Sequence, residues 1–258
     1  MEKVPAIAGL QWIKEGFAIF RKQPLEMIVL SSLYFFIVLA FSFAGMIGGI
    51  LRQILAPALS MAFMLACIDI QHGKRVFPKI LFAEFRKPNF KSLVILGLLY
   101  LLAAVIALLI GNLISGGAFW QVWNSPNPPD EKTLAAGLAF PTLVILMIYL
   151  AFTVILWFAA PLIAWQNMGV GKAIFFSVYA VSRAYRAFIV YLLACGMIFL
   201  FSLSVIASAS SLLGASGQQV ALIPLVLLLF VLLFTIAQCS IYPSYVQIFG
   251  EPKIPEPT

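Results

Sequence analysis

Charge is what this sequence has least of. Only 10% of its 258 residues are Asp, Glu, Lys or Arg, against about 25% in an ordinary soluble domain. A water-soluble fold of this size needs more polar surface than that. Histidine occurs once, as His72, in a basic loop with no second histidine or neighbouring cysteine, which argues against a metal site. The three cysteines, Cys67, Cys195 and Cys239, have no CxxC spacing and stand inside apolar runs, where they read as small buried hydrophobes. There is no HExxH, GxSxG or phosphate-binding Walker loop, and no pair of intramembrane aspartates. Acid–base catalysis therefore has few candidates, and neither an enzyme nor a cofactor is expected. No ionisable group falls deep in an apolar run, because Glu26, Arg52 and Asp69 all lie near run ends; this disfavours a proton- or sodium-coupled pump. Lys3, Lys14, Glu15, Arg21 and Lys22 interrupt the start of the chain, so no cleavable signal peptide is expected.

Apolar residues fill the space that charge leaves. They make up 63% of the chain, and the mean hydropathy is +1.07. Six apolar runs, at about 25–47, 50–70, 92–114, 136–165, 187–213 and 220–246, reach the roughly 20 residues that a helix needs to cross a bilayer. They are continuous rather than alternating, which excludes a β-barrel, and helices satisfy their own backbone groups in lipid. The fold class is all-α integral membrane, in one membrane domain over residues 1–258. The fourth run, as a straight helix of about 45 Å, exceeds the membrane core, so it tilts or begins its crossing near Pro141. Tight turns are expected at 45–49 and 214–217, and Trp120 and Trp123 suit an interfacial aromatic belt.

The net charge of +7 follows from orientation rather than from a nucleic-acid partner. All 16 lysines and arginines except Arg52 and Lys132 lie in the N-terminal segment, the loops 71–91 and 166–186, or the tail, all on one side of the predicted crossings. Short loops rich in Lys and Arg stay in the cytoplasm. The expected location is a bacterial inner membrane, multi-pass, with both termini cytoplasmic.

The segments before the odd-numbered spans resemble one another. Phe17-Ala-Ile-Phe-Arg-Lys-Gln-Pro24 matches Phe82-Ala-Glu-Phe-Arg-Lys-Pro88 with one deletion, and Phe176-Ser-Val-Tyr-Ala-Val-Ser-Arg183 is a looser copy. The exits of the even spans also agree, each opening on a glutamine: Gln71, Gln166 and Gln247. The unit read from this is a cytoplasmic in-plane amphipathic helix followed by a transmembrane hairpin. It recurs over 5–74, 75–171 and 172–250 around a pseudo-threefold axis, with a tail at 251–258. In the first such helix Leu10, Ile13, Phe17 and Phe20 share an apolar face. In the second that face is Leu81 and Phe85; in the third it is Ile174, Val178, Val181 and Tyr185. Each is expected to lie at the interface with its cations toward the headgroups. The expected lipid contacts are Arg21, Lys22, Arg86, Lys87, Arg183 and Arg186, and the expected partner is the bilayer, anionic lipids above all. Anionic headgroups attract each nearby Lys or Arg by about 1 kcal/mol. Protein partners are not legible.

Within the spans, Ala58, Ala62 and Ala66, and Ala103, Ala107 and Gly111, make small-residue stripes suited to close helix packing. Prolines at 57, 161, 224 and 243 predict kinks. Ser204, Ser208 and Gln238 are the candidates for a polar interior. Three functions stay open: a non-enzymatic inner-membrane protein that organises the envelope or engages lipid, a permease or channel for a neutral or hydrophobic solute, and an accessory subunit of a membrane complex. The run Gly9-Leu-Gln-Trp-Ile-Lys-Glu-Gly16-Phe-Ala-Ile-Phe-Arg-Lys-Gln-Pro24, followed by an apolar span, resembles the opening of an uncharacterised bacterial family of six-helix inner-membrane proteins. A more distant likeness is to the membrane domain of some glycerophosphodiester phosphodiesterases, without their catalytic barrel. These resemblances imply a location and no activity.

Overall fold

A computed structural model of the chain describes residues 4–118, 131–212 and 219–252. Trp120, Trp123 and the turn expected at 214–217 lie outside them. The described residues form helices and no strand: α1 (Ala8–Phe20), α2 (Pro24–Phe43), α3 (Gly45–Gln71), a 3₁₀ segment (Pro78–Arg86), α4 (Phe90–Ile114), α5 (Glu131–Ile155), α6 (Ala159–Gln166), α7 (Val170–Arg183), α8 (Tyr185–Leu212) and α9 (Gln219–Phe249). Six helices among them are long and apolar enough to cross a membrane, with α5 and α6 counted as one broken span, Leu138–Gln166.

The first hairpin closes more sharply than the sequence suggests. Residues 46–49 belong to α3 rather than to a turn, and Ala44 alone separates the two helices. Gly45 takes a left-handed φ of 57°, which costs glycine nothing. Gly48 lies so close to the Phe41 carbonyl that no Cβ would fit between them.

Span four is interrupted. Its helix stops at 156–158 and resumes at Ala159. Pro161 has no N–H for the Trp157 carbonyl and its ring clashes there, which ends the ladder. Ser177, fully buried on α7, bridges the gap: its hydroxyl accepts from the Phe158 N–H at 3.1 Å and donates to the Ile155 carbonyl at 2.7 Å. A break inside lipid is tolerated when another helix satisfies the freed groups in this way.

Burial concentrates around α1 and the last turns of α9. Trp12, Phe158, Phe188 and Tyr245 are all at most 2% exposed. Trp12 meets Phe188 edge-on at 5.2 Å, and Trp165 meets Tyr245 at 4.9 Å. About three turns along α9 from Tyr245, Phe234 joins Tyr34, Phe35 and Phe63 in a second aromatic cluster. The small-residue stripes behave as expected: Ala58, Ala62, Ala66, Ala103, Ala107 and Gly111 are all buried. Gly97, on α4, sits against the Ile54 carbonyl of α3, so backbone meets backbone between spans two and three.

The short helical segments before the odd spans pack mainly on hairpins other than their own. The 3₁₀ segment packs on α3 and α2, α7 packs on α6, α5 and α4, and α1 packs on α9 and α8. The 3₁₀ segment and α7 each lie on the hairpin before their own, and α1 lies on the last hairpin. Two junction amides also act alike. Gln23, just before α2, donates to the Lys74 carbonyl at 2.7 Å and accepts from the Val76 N–H at 3.0 Å. Asn89, just before α4, donates to the Ile163 carbonyl at 3.1 Å and to the Asn167 side chain. Each amide ties the entry of its hairpin to the exit.

Candidate functional site

The first helix is seated by the face that a hydrophobicity count overlooks. Its buried residues are Ala8, Gly9, Trp12, Gly16, Ile19 and Phe20. Of the expected apolar face only Phe20 is among them; Phe17 is 43% exposed. At 100° per residue, Gly9, Trp12 and Gly16 form a stripe adjacent to that of Ile13 and Phe17. The two glycines carry no apolar weight in the sequence, yet they let the helix sink to contact.

From these contacts the course of α1 follows. Gly9 abuts the Ala187 carbonyl and Tyr191 on span five, and Gly16 abuts Ser240 on span six. Lys22, beyond its end, donates to Gln71 of span two at 2.8 Å. Ala187 lies near the start of α8, and Ser240 and Gln71 lie toward the ends of α9 and α3, so α1 touches spans five, six and two, with its longest contact along α9. Trp12 fastens this contact by donating from its indole N–H to Gln247 at 2.5 Å.

Two cavities flank α1. On one side, about 470 Å³ is lined by Glu15, Lys22, Gln71, His72, Tyr242 and Glu251. On the other, a groove of about 480 Å³ lies between α1, α8 and α9, with Phe17, Phe199, Phe230 and Phe234 in its walls and Lys14 on its border.

The six expected headgroup cations divide into two kinds. Arg21, Arg86, Arg183 and Arg186 are exposed. Arg21, Arg183 and Arg186 lie over the rings of Phe17, Tyr179 and Tyr185 at 5.9, 5.6 and 5.7 Å. Lys22 is engaged with Gln71, and Lys87 pairs with Glu84 at 2.7 Å. Glu84 itself is 1% exposed, a burial the sequence reading did not anticipate. The cause is the 3₁₀ geometry imposed between Pro78 and Pro88. At three residues per turn, Glu84 falls directly beneath the buried Leu81.

The polar-interior candidates are corrected. Ser204 and Ser208 are exposed, and they donate to the Phe201 and Ser204 carbonyls of their own helix at 2.7 and 2.8 Å. A serine hydroxyl in an apolar helix satisfies itself on the preceding turn, so serine content does not reveal which way the residue points. Gln238 alone turns inward, with a buried Oε1 that has no hydrogen-bond partner. The cysteines are buried or half-buried and unbridged, and Cys67 of α3 and Cys239 of α9 are neighbours in the core.

No family model matches the chain, and no solved structure does. Over 265 residues it is 29% identical to a protein of Burkholderia thailandensis named as a probable inner membrane protein, with 98% of this chain and 97% of that one covered. The chain has the six apolar helices of a multi-pass membrane protein. Its likeness to a protein named for the inner membrane runs over nearly the full length of both. The likeness to the membrane domain of glycerophosphodiester phosphodiesterases finds no support in these comparisons.

Proposed function

We propose that this protein is a non-enzymatic organiser of the inner membrane that holds anionic phospholipid headgroups along a ring of three short cytoplasmic helices. The observation that carries the reading is the course of α1. It touches spans five, six and two near one end of the bundle, mainly α9, and leaves Lys14 and Arg21 exposed. A helix so placed lies in the interface plane, where its exposed Ile7 and Phe17 enter the acyl boundary and its cations meet the headgroups. The exposed Arg86, Arg183 and Arg186 repeat the arrangement beside the 3₁₀ segment and α7. The placement of the three segments on hairpins other than their own, together with the paired roles of Gln23 and Asn89, supports a pseudo-threefold origin. Both termini face the cytoplasm, the side on which the basic loops gather.

The permease reading is weakened where it made a specific claim, since Ser204 and Ser208 face outward. The test replaces Arg21, Arg86, Arg183 and Arg186 by Gln. Lys22 and Lys87 are left in place because Gln71 and Glu84 use them. The purified chain is reconstituted in vesicles of phosphatidylcholine with increasing phosphatidylglycerol, and lipid selectivity is read from a spin-labelled lipid. The wild type is expected to prefer phosphatidylglycerol, and the variant to lose most of that preference with an unchanged melting temperature. Equal preference in both ends the proposal. A reporter fused after Thr258 that turns up outside the cytoplasm ends it as well.

A further inference from the structure

The apolar groove beside α1 is built from two kinds of surface. Its walls are aromatic and only partly covered: Phe17, Phe199 and Phe230 are 43, 45 and 48% exposed. On α9 it extends from Ser240 to Phe230, about 15 Å of helix. Its shallow end is bordered by Lys14, whose ammonium has no ion-pair partner among the described residues. Among the described residues, the groove floor offers a polar guest only the Cys195 thiol and one hydroxyl. Ser240 is the one hydroxyl there, and it is committed to Tyr191 at 3.0 Å and to the carbonyls of Ile236 and Ala237. The volume of about 480 Å³ falls within the range of about 300–1,000 Å³ typical of ligand sites.

We infer that this groove is a binding site for one anionic phospholipid of the cytoplasmic leaflet, with its phosphate at Lys14 and an acyl chain lying between α8 and α9 toward Phe230. The inference rests on the orientation proposed above, which places α1 at the cytoplasmic interface and Phe230 toward the bilayer centre. In lipid, apolar surface gains nothing by leaving an apolar solvent, so a bound chain is held by close packing against the walls. Four phenylalanines supply that packing. Selectivity among lipids then falls to Lys14, the cation bordering the groove. The occupant is an acyl chain rather than a polar solute because only the Lys14 end carries an uncommitted polar group.

The experiment uses the full chain in nanodiscs of phosphatidylcholine with a trace of lipid carrying a photoreactive acyl chain, bearing either a phosphatidylglycerol or a phosphatidylcholine head. Labelled peptides are mapped by mass spectrometry. Labelling is expected to concentrate on 195–199 and 230–237 over the lipid-facing wall of α4 at Leu98, Leu102 and Leu109. The glycerol head is expected to exceed the choline head there by about fivefold, the worth of one interfacial lysine. Lys14→Gln, an exposed change that leaves the packing of α1 intact, removes that difference. Cys195→Trp fills the groove and lowers labelling with both tracers, while α4 is labelled as before. Groove peptides labelled no more than α4 overturn the site, as does equal labelling by the two heads in the wild type. Crosslinks from Phe199 to a second copy of the chain overturn it too, since they assign the groove to a dimer. If groove labelling fails while the four-arginine variant still loses its phosphatidylglycerol preference, only this site falls. If the arginine variant keeps that preference while Lys14-dependent labelling persists, it is the ring of helices that falls.

Discussion

Replacing Gly16 by alanine tests the seating of α1 directly. A Cβ at Gly16 would stand 2.7 Å from the Ser240 nitrogen, 2.8 Å from its Cα and 2.9 Å from its Cβ, roughly 1 Å inside ordinary van der Waals contact. The opposing atoms are mostly backbone, so a rotamer change cannot relieve the clash. Overpacking of this kind costs about 1–3 kcal/mol. The same substitution also gains about 1 kcal/mol of helix propensity, so a single variant is a poor reporter. Gly196, within α8, provides the control because a Cβ there meets nothing within 4 Å. Both changes gain the propensity term and only Gly16→Ala meets the clash, so their difference isolates the packing cost. At about 2–4 °C per kcal/mol for a chain of this length, Gly16→Ala is expected to melt about 2–12 °C below Gly196→Ala. A thiol-reactive dye gives the readout in detergent, since Cys67 and Cys239 are fully buried until the bundle opens. Equal melting of the two variants refutes the close contact of α1 with span six, and the placement of the helix with it.

Other consequences are independent of this one. Ser177→Ala strips the partner from two backbone groups at the break in span four and is expected to destabilise the bundle by about 1–3 kcal/mol in the same assay, the cost of unpaired buried groups; a shift below 0.5 kcal/mol on that scale removes its bridging role. Oxidation by copper phenanthroline is expected to join Cys67 to Cys239, seen as a product that holds the chain together after a protease site placed in the loop 72–77 is cut. Separation of the two fragments would place the thiols apart. Ser204→Ala and Ser208→Ala are expected to change stability by less than about 0.5 kcal/mol, as outward-facing substitutions do, and a larger loss with either one returns it to the interior.

The six apolar spans and their helical nature were legible in the sequence because both depend on composition along the chain. A run of about 20 apolar residues is long enough to span lipid wherever its neighbours lie. The similar motifs before the odd spans were legible as well, and they mark the three segments that pack mainly on hairpins other than their own. What the tertiary structure decided is direction. Hydrophobicity separates no faces on a helix that is apolar all round, so nothing in the serines of span five announced that Ser204 and Ser208 face outward. On α1 the heavy apolar residues pointed to one face, while Gly9 and Gly16 brought the adjacent face into contact. Glycine contributes to packing by what it lacks, and that shows only when the opposing backbone is in place. The burial of Glu84, the bridge made by Ser177 and the groove bordered by Lys14 have the same origin. Each depends on residues far apart in the chain that only the packed bundle brings within reach.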